Sequence, residues 1–216
     1  MNKNIQFEVN DISKTFNRRK IFSDISFSLK QKESLVITGN NGSGKSTLLK
    51  ICAGVLTPTK GKTIFFIDGK PLDNSYSFRF IGFVAPYLQL YDEFTGWENL
   101  QLACKLHEIN DSRQAITPLL HRLRLWERRN DVYKTYSSGM KQRLKYAFAL
   151  VHEPPVLFLD EPASNLDQQG SETICEIMKE QKQEGILIVA TNDEHDIGVC
   201  DRVINLNVQR SISGVP

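Results

Sequence analysis

Gly39-Asn40-Asn41-Gly42-Ser43-Gly44-Lys45-Ser46-Thr47 stands between the apolar run Leu35-Val36-Ile37 and Leu48-Leu49-Lys50, so this stretch reads strand, glycine-rich loop, helix. The G-x-x-x-x-G-K-S spacing is that of a phosphate-binding P-loop. Glycines let the backbone curl until successive amide N–H groups point inward at phosphate oxygens, and the helix that follows adds the positive end of its dipole. Asn41, Gly42, Ser43, Gly44, Lys45, Ser46 and Thr47 are therefore assigned to nucleotide binding. Lys45 is expected to reach the β- and γ-phosphates, with the Ser46 hydroxyl placed to ligate the Mg2+ that bridges them. The plain alternative, a glycine-rich turn before an ordinary helix, does not explain the spacing together with both flanks.

Working outward, the 216 residues suffice for one large domain with an inserted subdomain, and 40% hydrophobic residues can fill its core. Lys and Arg total 27 against 25 Asp and Glu, a balance of +2 that argues for neither nucleic acid nor an anionic membrane surface. No nucleic-acid partner is expected. Cys52, Cys104, Cys175 and Cys200 are far apart and lack C-x-x-C spacing, which suits buried thiols in a reducing compartment. No run approaches the roughly 20 apolar residues that cross a bilayer, and Met1-Asn2-Lys3-Asn4 lacks the apolar core of a signal peptide. Any link to a membrane is expected to run through another chain.

Apolar and polar residues alternate in Ile5-Gln6-Phe7-Glu8-Val9 and Ile25-Ser26-Phe27-Ser28-Leu29, as in half-buried antiparallel strands, and residues 62–67 and 80–84 extend this β-rich N-terminal layer. Residues 95–126 change to helical spacing, through Trp97, Leu100, Ala103 and Leu106, then Ile116, Leu119, Leu120 and Leu123. Asn110-Asp111-Ser112 interrupts them as a helix cap. From Val156 the pattern is strand, helix, strand. Val156-Leu157-Phe158-Leu159 and Ile186-Leu187-Ile188-Val189-Ala190 are uniformly apolar, as parallel strands covered on both faces must be, and residues 167–184 between them are helix-like.

The strand Leu157-Phe158-Leu159 ends in Asp160-Glu161-Pro162. Many buried strands end in an exposed acid, but beside a P-loop the pair acquires a mechanism, since Mg2+ on a triphosphate needs a carboxylate from a neighbouring strand. Asp160 fits that role. Glu161, one residue further, is placed to accept a hydrogen bond from a water aligned with the γ-phosphorus and is assigned as general base, a role whose removal costs roughly 10²–10⁴ in rate.

Tyr136-Ser137-Ser138-Gly139-Met140-Lys141-Gln142-Arg143 lies before an apolar helix upstream of Asp160, and here the chain resembles the ABC ATPases. Their signature L-S-G-G-Q stands as Y-S-S-G-M, keeping Ser137 and Gly139. Ser137 can also cap the helix that starts near Gly139, whose N-terminus can face a phosphate. Ser164-Asn165-Leu166-Asp167 is similar to the D-loop, which assigns Asp167 to communication across a dimer. Phe16 is similar in position to the aromatic that stacks on adenine, and its polar neighbours Thr15 and Asn17 favour an exposed ring over a core one. The resemblance implies ATP and Mg2+ as ligands. It also implies a head-to-tail dimer, with the P-loop of one copy and Ser137, Ser138 and Gly139 of the other enclosing each ATP.

Two departures from the family pattern stand out. Ile81-Gly82-Phe83-Val84-Ala85-Pro86 runs in step with I-G-Y-V-P-Q but has Pro86 where the Mg2+-contacting glutamine belongs. Gln89, three residues later, is the candidate substitute if Pro86 re-routes the loop; the alternative is a surface glutamine. Phe94-Thr95-Gly96-Trp97-Glu98-Asn99-Leu100 restores the register. Downstream, Ala190-Thr191-Asn192-Asp193 replaces A-T-H-D, putting Asn192 in place of the histidine that holds the γ-phosphate. A carboxamide donates one hydrogen bond but carries no charge, so turnover is expected to fall by on the order of 10²–10³ while ATP binding is spared. His195 reads as a surface histidine.

The expectation is therefore an α/β P-loop NTPase of ABC ATPase type, a single domain over residues 1–216. Its core and antiparallel β layer occupy 1–87 and 151–216, with an inserted helical subdomain at about 88–150. The sequence ends soon after Asp201-Arg202-Val203-Ile204, which leaves no room for a C-terminal regulatory domain. The resemblance implies an ATP-hydrolysing subunit, cytoplasmic and peripheral on the inner face of the cell membrane, that powers separately encoded transmembrane subunits. Stand-alone subunits of this kind resemble those of export systems, haem exporters among them. The chief alternative is an ATP-gated binding or regulatory subunit whose hydrolysis is vestigial because of Pro86 and Asn192. A ribosome- or DNA-acting ABC ATPase would need fused halves or a coiled coil, and a small-molecule kinase would need neither signature nor D-loop.

Overall fold

The computed structural model describes residues 4–72 and 74–207. In chain order its elements are β1 (Ile5–Phe16), β2 (Arg19–Lys30), β3 (Ser34–Thr38), α1 (Lys45–Cys52), β4 (Lys60–Ile67), β5 (Lys70–Pro71), β6 (Ile81–Val84), α2 (Gly96–Leu106), α3 (Ser112–Arg122), α4 (Ser138–Leu150), β7 (Val156–Asp160), α5 (Gln168–Glu184), β8 (Ile186–Ala190), α6 (Glu194–Val199) and β9 (Arg202–Asn205). They form a mixed α/β fold with two sheets. An antiparallel sheet has the order β2-β1-β4-β5, and a five-stranded sheet, parallel throughout, has the order β6-β7-β8-β3-β9.

Each sheet follows from its sequence pattern. Alternation along β1 and β2 puts Phe7, Val9, Phe27 and Leu29 on one face, and the register pairs Phe7 with Leu29 and Val9 with Phe27. Phe7 and Phe65 pack at 4.5 Å between ring centroids, and Phe7 meets Phe158 of the parallel sheet edge-on at 5.9 Å. The strands of the parallel sheet instead supply both faces. Val156, Phe158, Ile186 and Ile188 join the apolar cluster beneath the antiparallel layer, whereas Leu157, Leu159, Leu187 and Val189 join the cluster on the opposite face with the helices. That two-sided burial is why these strands are apolar without alternation.

Residues 81–84 depart from the expectation. Their pattern groups them with the N-terminal layer, yet β6 pairs in parallel with β7, Ile81 opposite Val156 and Val84 opposite Leu159. A four-residue apolar run carries no signal of the sheet that it joins; pairing is decided by the crossover through α2, α3 and α4. Those helices share a core of Leu100, Ala103, Ile116, Leu120 and Leu144. Thr95 and Glu98 form a reciprocal capping box at the start of α2, and Asp111 caps α3 through Gln114 N–H, in the place read as a cap from the sequence.

The parallel arrangement sets the site. Strands β6, β7, β8 and β3 all end at the same sheet edge, with Asp160 and Ile37 each level with Ala190. Loops leaving carboxyl ends of adjacent parallel strands meet there, the usual location of a ligand crevice in such sheets.

Candidate nucleotide-binding site

The loop after β3 is built around its glycines. Gly44, at φ 109° and capping α1, has no room for a side chain, because a Cβ would lie 2.6 Å from Ile21 Cγ2 and 3.0 Å from Phe22. Asn41 and Gly42 sit exposed at the crest, while Lys45 is buried beneath it, its Nζ donating to Gly39 O at 2.9 Å. The ammonium is thus curled back across the loop. Ser46 Oγ donates to Asp160 Oδ1 at 2.9 Å, joining the two segments that the sequence separates by 114 residues.

Asp160 is 1% exposed, and its Oδ2 is buried with no hydrogen-bond partner of normal geometry. Burial pushes its carboxyl above the ordinary carboxylate value, opposed by Ser46, by the Tyr87 hydroxyl and by the charges of Lys50 and Lys45. An orphaned carboxylate oxygen beside a serine hydroxyl is a donor set that suits a hard divalent cation such as Mg2+. Glu161, the next residue, has a left-handed backbone at φ 48° and donates its N–H to Ala190 O at 2.8 Å. Its carboxyl is half-buried. Burial raises its pKa, as do Asp160 and Asp193, while Lys45 opposes them.

The third strand end adds Asn192, whose Oδ1 accepts from Gly39 N–H at 3.2 Å. The carboxamide therefore touches the P-loop at the residue whose carbonyl holds Lys45. His195 is exposed on α6, where Asp193 caps its N–H. Phe16, 44% exposed at the end of β1, has Lys14 Nζ 4.6 Å above its ring. Ser137 caps α4, accepting from Met140 N–H at 3.2 Å, and Ser137 and Ser138 are exposed. A Cβ at Gly139 would lie 3.2 Å from Asn165 O, so glycine lets α4 approach the 164–167 segment closely. Asp167 accepts from Gly170 N–H at 2.8 Å and caps α5. Thr47 lies in the first turn of α1.

The structure thus brings together the P-loop, Asp160, Glu161 and Asn192, and places Gln89 elsewhere. Gln89 is exposed and lines a cavity of about 260 Å³ with Tyr91, His107, Lys145 and His152. From that loop it is Tyr87 that packs against α1, with Lys50 Nζ 3.8 Å from its ring centroid, and no motif marks this residue. Lys145 likewise belongs to no motif. Its Nζ, from α4, donates to Pro86 O at 2.7 Å and to Ala85 O at 3.4 Å. Its one legible trace is a lysine amid the apolar positions of the helix that starts at Ser138.

A family profile described as ABC transporter matches residues 22–164. The chain belongs to this family. Among its relatives, the uncharacterized ABC transporter ATP-binding protein YxlF of Bacillus subtilis is 34% identical over 199 residues, 91% of this chain and 66% of that protein. Linearmycin resistance ATP-binding protein LnrL, also of Bacillus subtilis, is 31% identical over 91% of this chain and 64% of its own length. Lantibiotic transport ATP-binding protein SrtF of Streptococcus pyogenes is 30% identical over 86% of this chain and 79% of its own. The chain spans slightly less than two thirds of the first two of these. A solved ATP-binding subunit of an ABC transporter superposes with TM-score 0.81 at 29% identity, covering 92% of this chain and 85% of that one. The ATP-binding cassette MJ0796, solved as a dimer in a post-hydrolysis state with ADP and Pi, gives 0.82 at 25% identity over 92% and 93%. The fold is accordingly that of an ABC ATPase P-loop NTPase domain. Among the described residues, no helix is long and apolar enough to cross a membrane.

Proposed function

We propose that this ABC family chain binds and hydrolyses ATP and powers a membrane transporter through ATP-dependent head-to-tail dimerisation. The observation that carries this reading is the meeting of Ser46, Asp160 and Glu161 at one sheet edge beneath the P-loop, with Ser46 Oγ bonded to Asp160 Oδ1. Asn41 to Thr47 bind the triphosphate, Lys45 turning from Gly39 O to a phosphate oxygen, and Phe16 offers its exposed ring to the adenine. Ser46 and Asp160 hold Mg2+, which when bound neutralises phosphate charge. Glu161 takes the proton of the attacking water; its burial raises the carboxyl towards the range in which a base works near neutral pH. Asn192, its oxygen occupied by Gly39 N–H, presents its NH2 to the γ-phosphate. Ser137, Ser138 and Gly139 on the exposed start of α4 contact the ATP of a second copy, and Asp167 communicates between the sites.

On this reading residues 1–216 make one ATPase domain, with a helical subdomain at about 88–150. It lies in the cytoplasm on the inner face of the membrane, held there by separately encoded transmembrane subunits. Relatives named for lantibiotic transport and linearmycin resistance support transport as the setting. The second reading, an ATP-gated subunit with vestigial hydrolysis, is favoured by Asn192, which holds the loop without a charge. Glu161 weighs against it, since binding alone needs no base. The deciding assay is Mg2+-dependent ATP hydrolysis across a protein concentration series, with Glu161→Gln as the blank. Turnover that rises more than linearly with protein and disappears in the variant is expected. Tight ATP binding without turnover, unaltered when membrane subunits are supplied, selects the gated subunit instead.

A further inference from the structure

We propose that Asp196 is a positioning residue, which through the Thr191 hydroxyl fixes the turn after β8 and so holds the Asn192 carboxamide against the P-loop. This rests on the reading of the site as one that binds and hydrolyses ATP. Asn192 is exposed, and an exposed carboxamide swings freely unless the backbone that carries it is pinned. Here it is pinned on both sides. Thr191, fully buried, donates its backbone N–H to Ile37 O at 3.2 Å, which ties the turn to the end of β3. Its Oγ1 donates to Asp196 Oδ2 at 3.2 Å and accepts from Asp193 N–H at 3.1 Å. Asp193 in turn caps α6, its Oδ1 accepting from His195 N–H at 2.8 Å and its carbonyl from Ile197 N–H at 3.0 Å. Asn192 stands between these ties, and its Oδ1 meets Gly39 N–H at 3.2 Å.

A carboxyl buried at this place needs a reason. Asp196 is 8% exposed, and among the described residues no lysine or arginine forms an ion pair with it. Taking such a group out of water without a cation is costly. What it supplies is direction. An ionised carboxyl only accepts, so it draws the Thr191 hydroxyl proton towards α6 and leaves the oxygen lone pairs of that hydroxyl to Asp193 N–H. A threonine hydroxyl without this acceptor turns to a nearby backbone carbonyl instead, and the turn loses its tie. Both neighbours of Thr191 touch the site. Ala190 O accepts from Glu161 N–H at 2.8 Å, and Asn192 reaches Gly39, whose carbonyl accepts from Lys45 at 2.9 Å. One buried pair therefore sets the backbone behind Glu161 and Asn192 together.

The test is Thr191→Val, which keeps the side-chain shape and removes the hydroxyl, beside Asp196→Leu, which removes the acceptor. Amide hydrogen exchange of the isotope-labelled chain is read by NMR without nucleotide. The expected result is exchange at Gly39 faster by about tenfold in both variants, while Ser43 and Leu48, whose N–H groups are held by Asn40 O and Gly44 O within the loop, stay within about twofold of the parent chain. Thr191→Ser and Asp196→Asn, which keep the donor and the acceptor, should restore protection at Gly39. In steady-state assays with Mg2+ and ATP, the first two variants should lose about tenfold in kcat with KM within about twofold, and the second two should recover it. Unchanged exchange at Gly39 overturns the proposal, as does an equal rise at Gly39, Ser43 and Leu48, or a fall in kcat that the conservative variants do not reverse. Absence of turnover in the parent chain counts against the hydrolysis reading and not this one, which the exchange ratios then decide.

Discussion

Tyr146 offers the sharpest test of how the fold holds its acidic loop. The side chain is fully buried on α4, and its hydroxyl donates to Pro162 O at 2.9 Å, one residue past the left-handed turn at Glu161. Burial, with the charge of Asp196 behind it, keeps the phenol well above its ordinary pKa, so it remains a donor at any working pH. Tyr146→Phe preserves the packed ring and opens no large cavity. What it leaves is the Pro162 carbonyl, in a buried residue, without its donor. An unsatisfied buried acceptor costs about 1–3 kcal/mol, so a loss of about 2 kcal/mol is expected. For a chain of this length that corresponds to a fall in Tm of roughly 4–8 °C. Urea unfolding at constant m gives the free energy directly, and thermal unfolding checks it. At a temperature where both proteins are folded, turnover should fall while ATP affinity holds, because the loosened segment carries Glu161 and not the P-loop. A loss under about 0.5 kcal/mol would refute the reasoning, since the carbonyl would then have found another partner at no cost.

Asp196 makes stability depend on pH with a definite sign. Its carboxyl, buried and facing Asp193 and Glu161, is pushed up to about 6 from 3.8. The folded chain therefore binds more protons than the unfolded one between those values, and stability falls as pH rises from about 4 through about 6. Asp196→Asn, which retains an acceptor for the Thr191 hydroxyl at 3.2 Å, should be the more stable protein above pH 6 and lose its advantage near pH 4, read by urea unfolding across that range. Asn192→His should raise turnover by on the order of tenfold or more with little change in ATP affinity if this position holds the γ-phosphate; steady-state kinetics decide it. Ser137→Ala removes a helix cap and should cost about 1 kcal/mol in stability. If Ser137 also acts across a dimer, the variant should bind ATP normally and fail to dimerise on size-exclusion chromatography, in a Glu161→Gln background that otherwise traps the dimer. Lys45→Ala should abolish ATP binding by calorimetry.

Much of this fold is legible because local chemistry and tertiary role coincide. The P-loop declares itself through glycines at left-handed backbone angles, and the crowding at Gly44 against Ile21 and Phe22 shows why one of them admits no side chain. Ser137, Asp111 and Asp167 each accept a hydrogen bond from a backbone N–H of the turn that follows, an interaction settled within three residues of sequence. Uniform apolarity marks β7 and β8 as covered on both faces, and alternation marks β1 and β2 as covered on one. The sheet that β6 joins is not legible, because four apolar residues fit either one and the choice belongs to a crossover whose packing the local sequence does not encode.

The site divides along the same line. Asp160 and Ser46 can be paired from sequence because the chemistry of a phosphate-bound cation demands a carboxylate and a hydroxyl together, whatever their separation in the chain. The place of Tyr87 cannot be read in this way, because nothing in Pro86-Tyr87-Leu88-Gln89 distinguishes a ring that covers Lys50 from one that faces water. With Pro86 where the glutamine belongs, chemical likeness points to the nearest residue of the same type, Gln89. Geometry chose instead by direction. With the carbonyls of Ala85 and Pro86 held by Lys145, the next side chain meets Lys50 of α1, whereas Gln89 joins the cavity beside α2 and α4. Where Lys145 holds the carbonyls of Ala85 and Pro86, the backbone decides which side chain meets α1 and which turns away, and residue type alone does not carry that information.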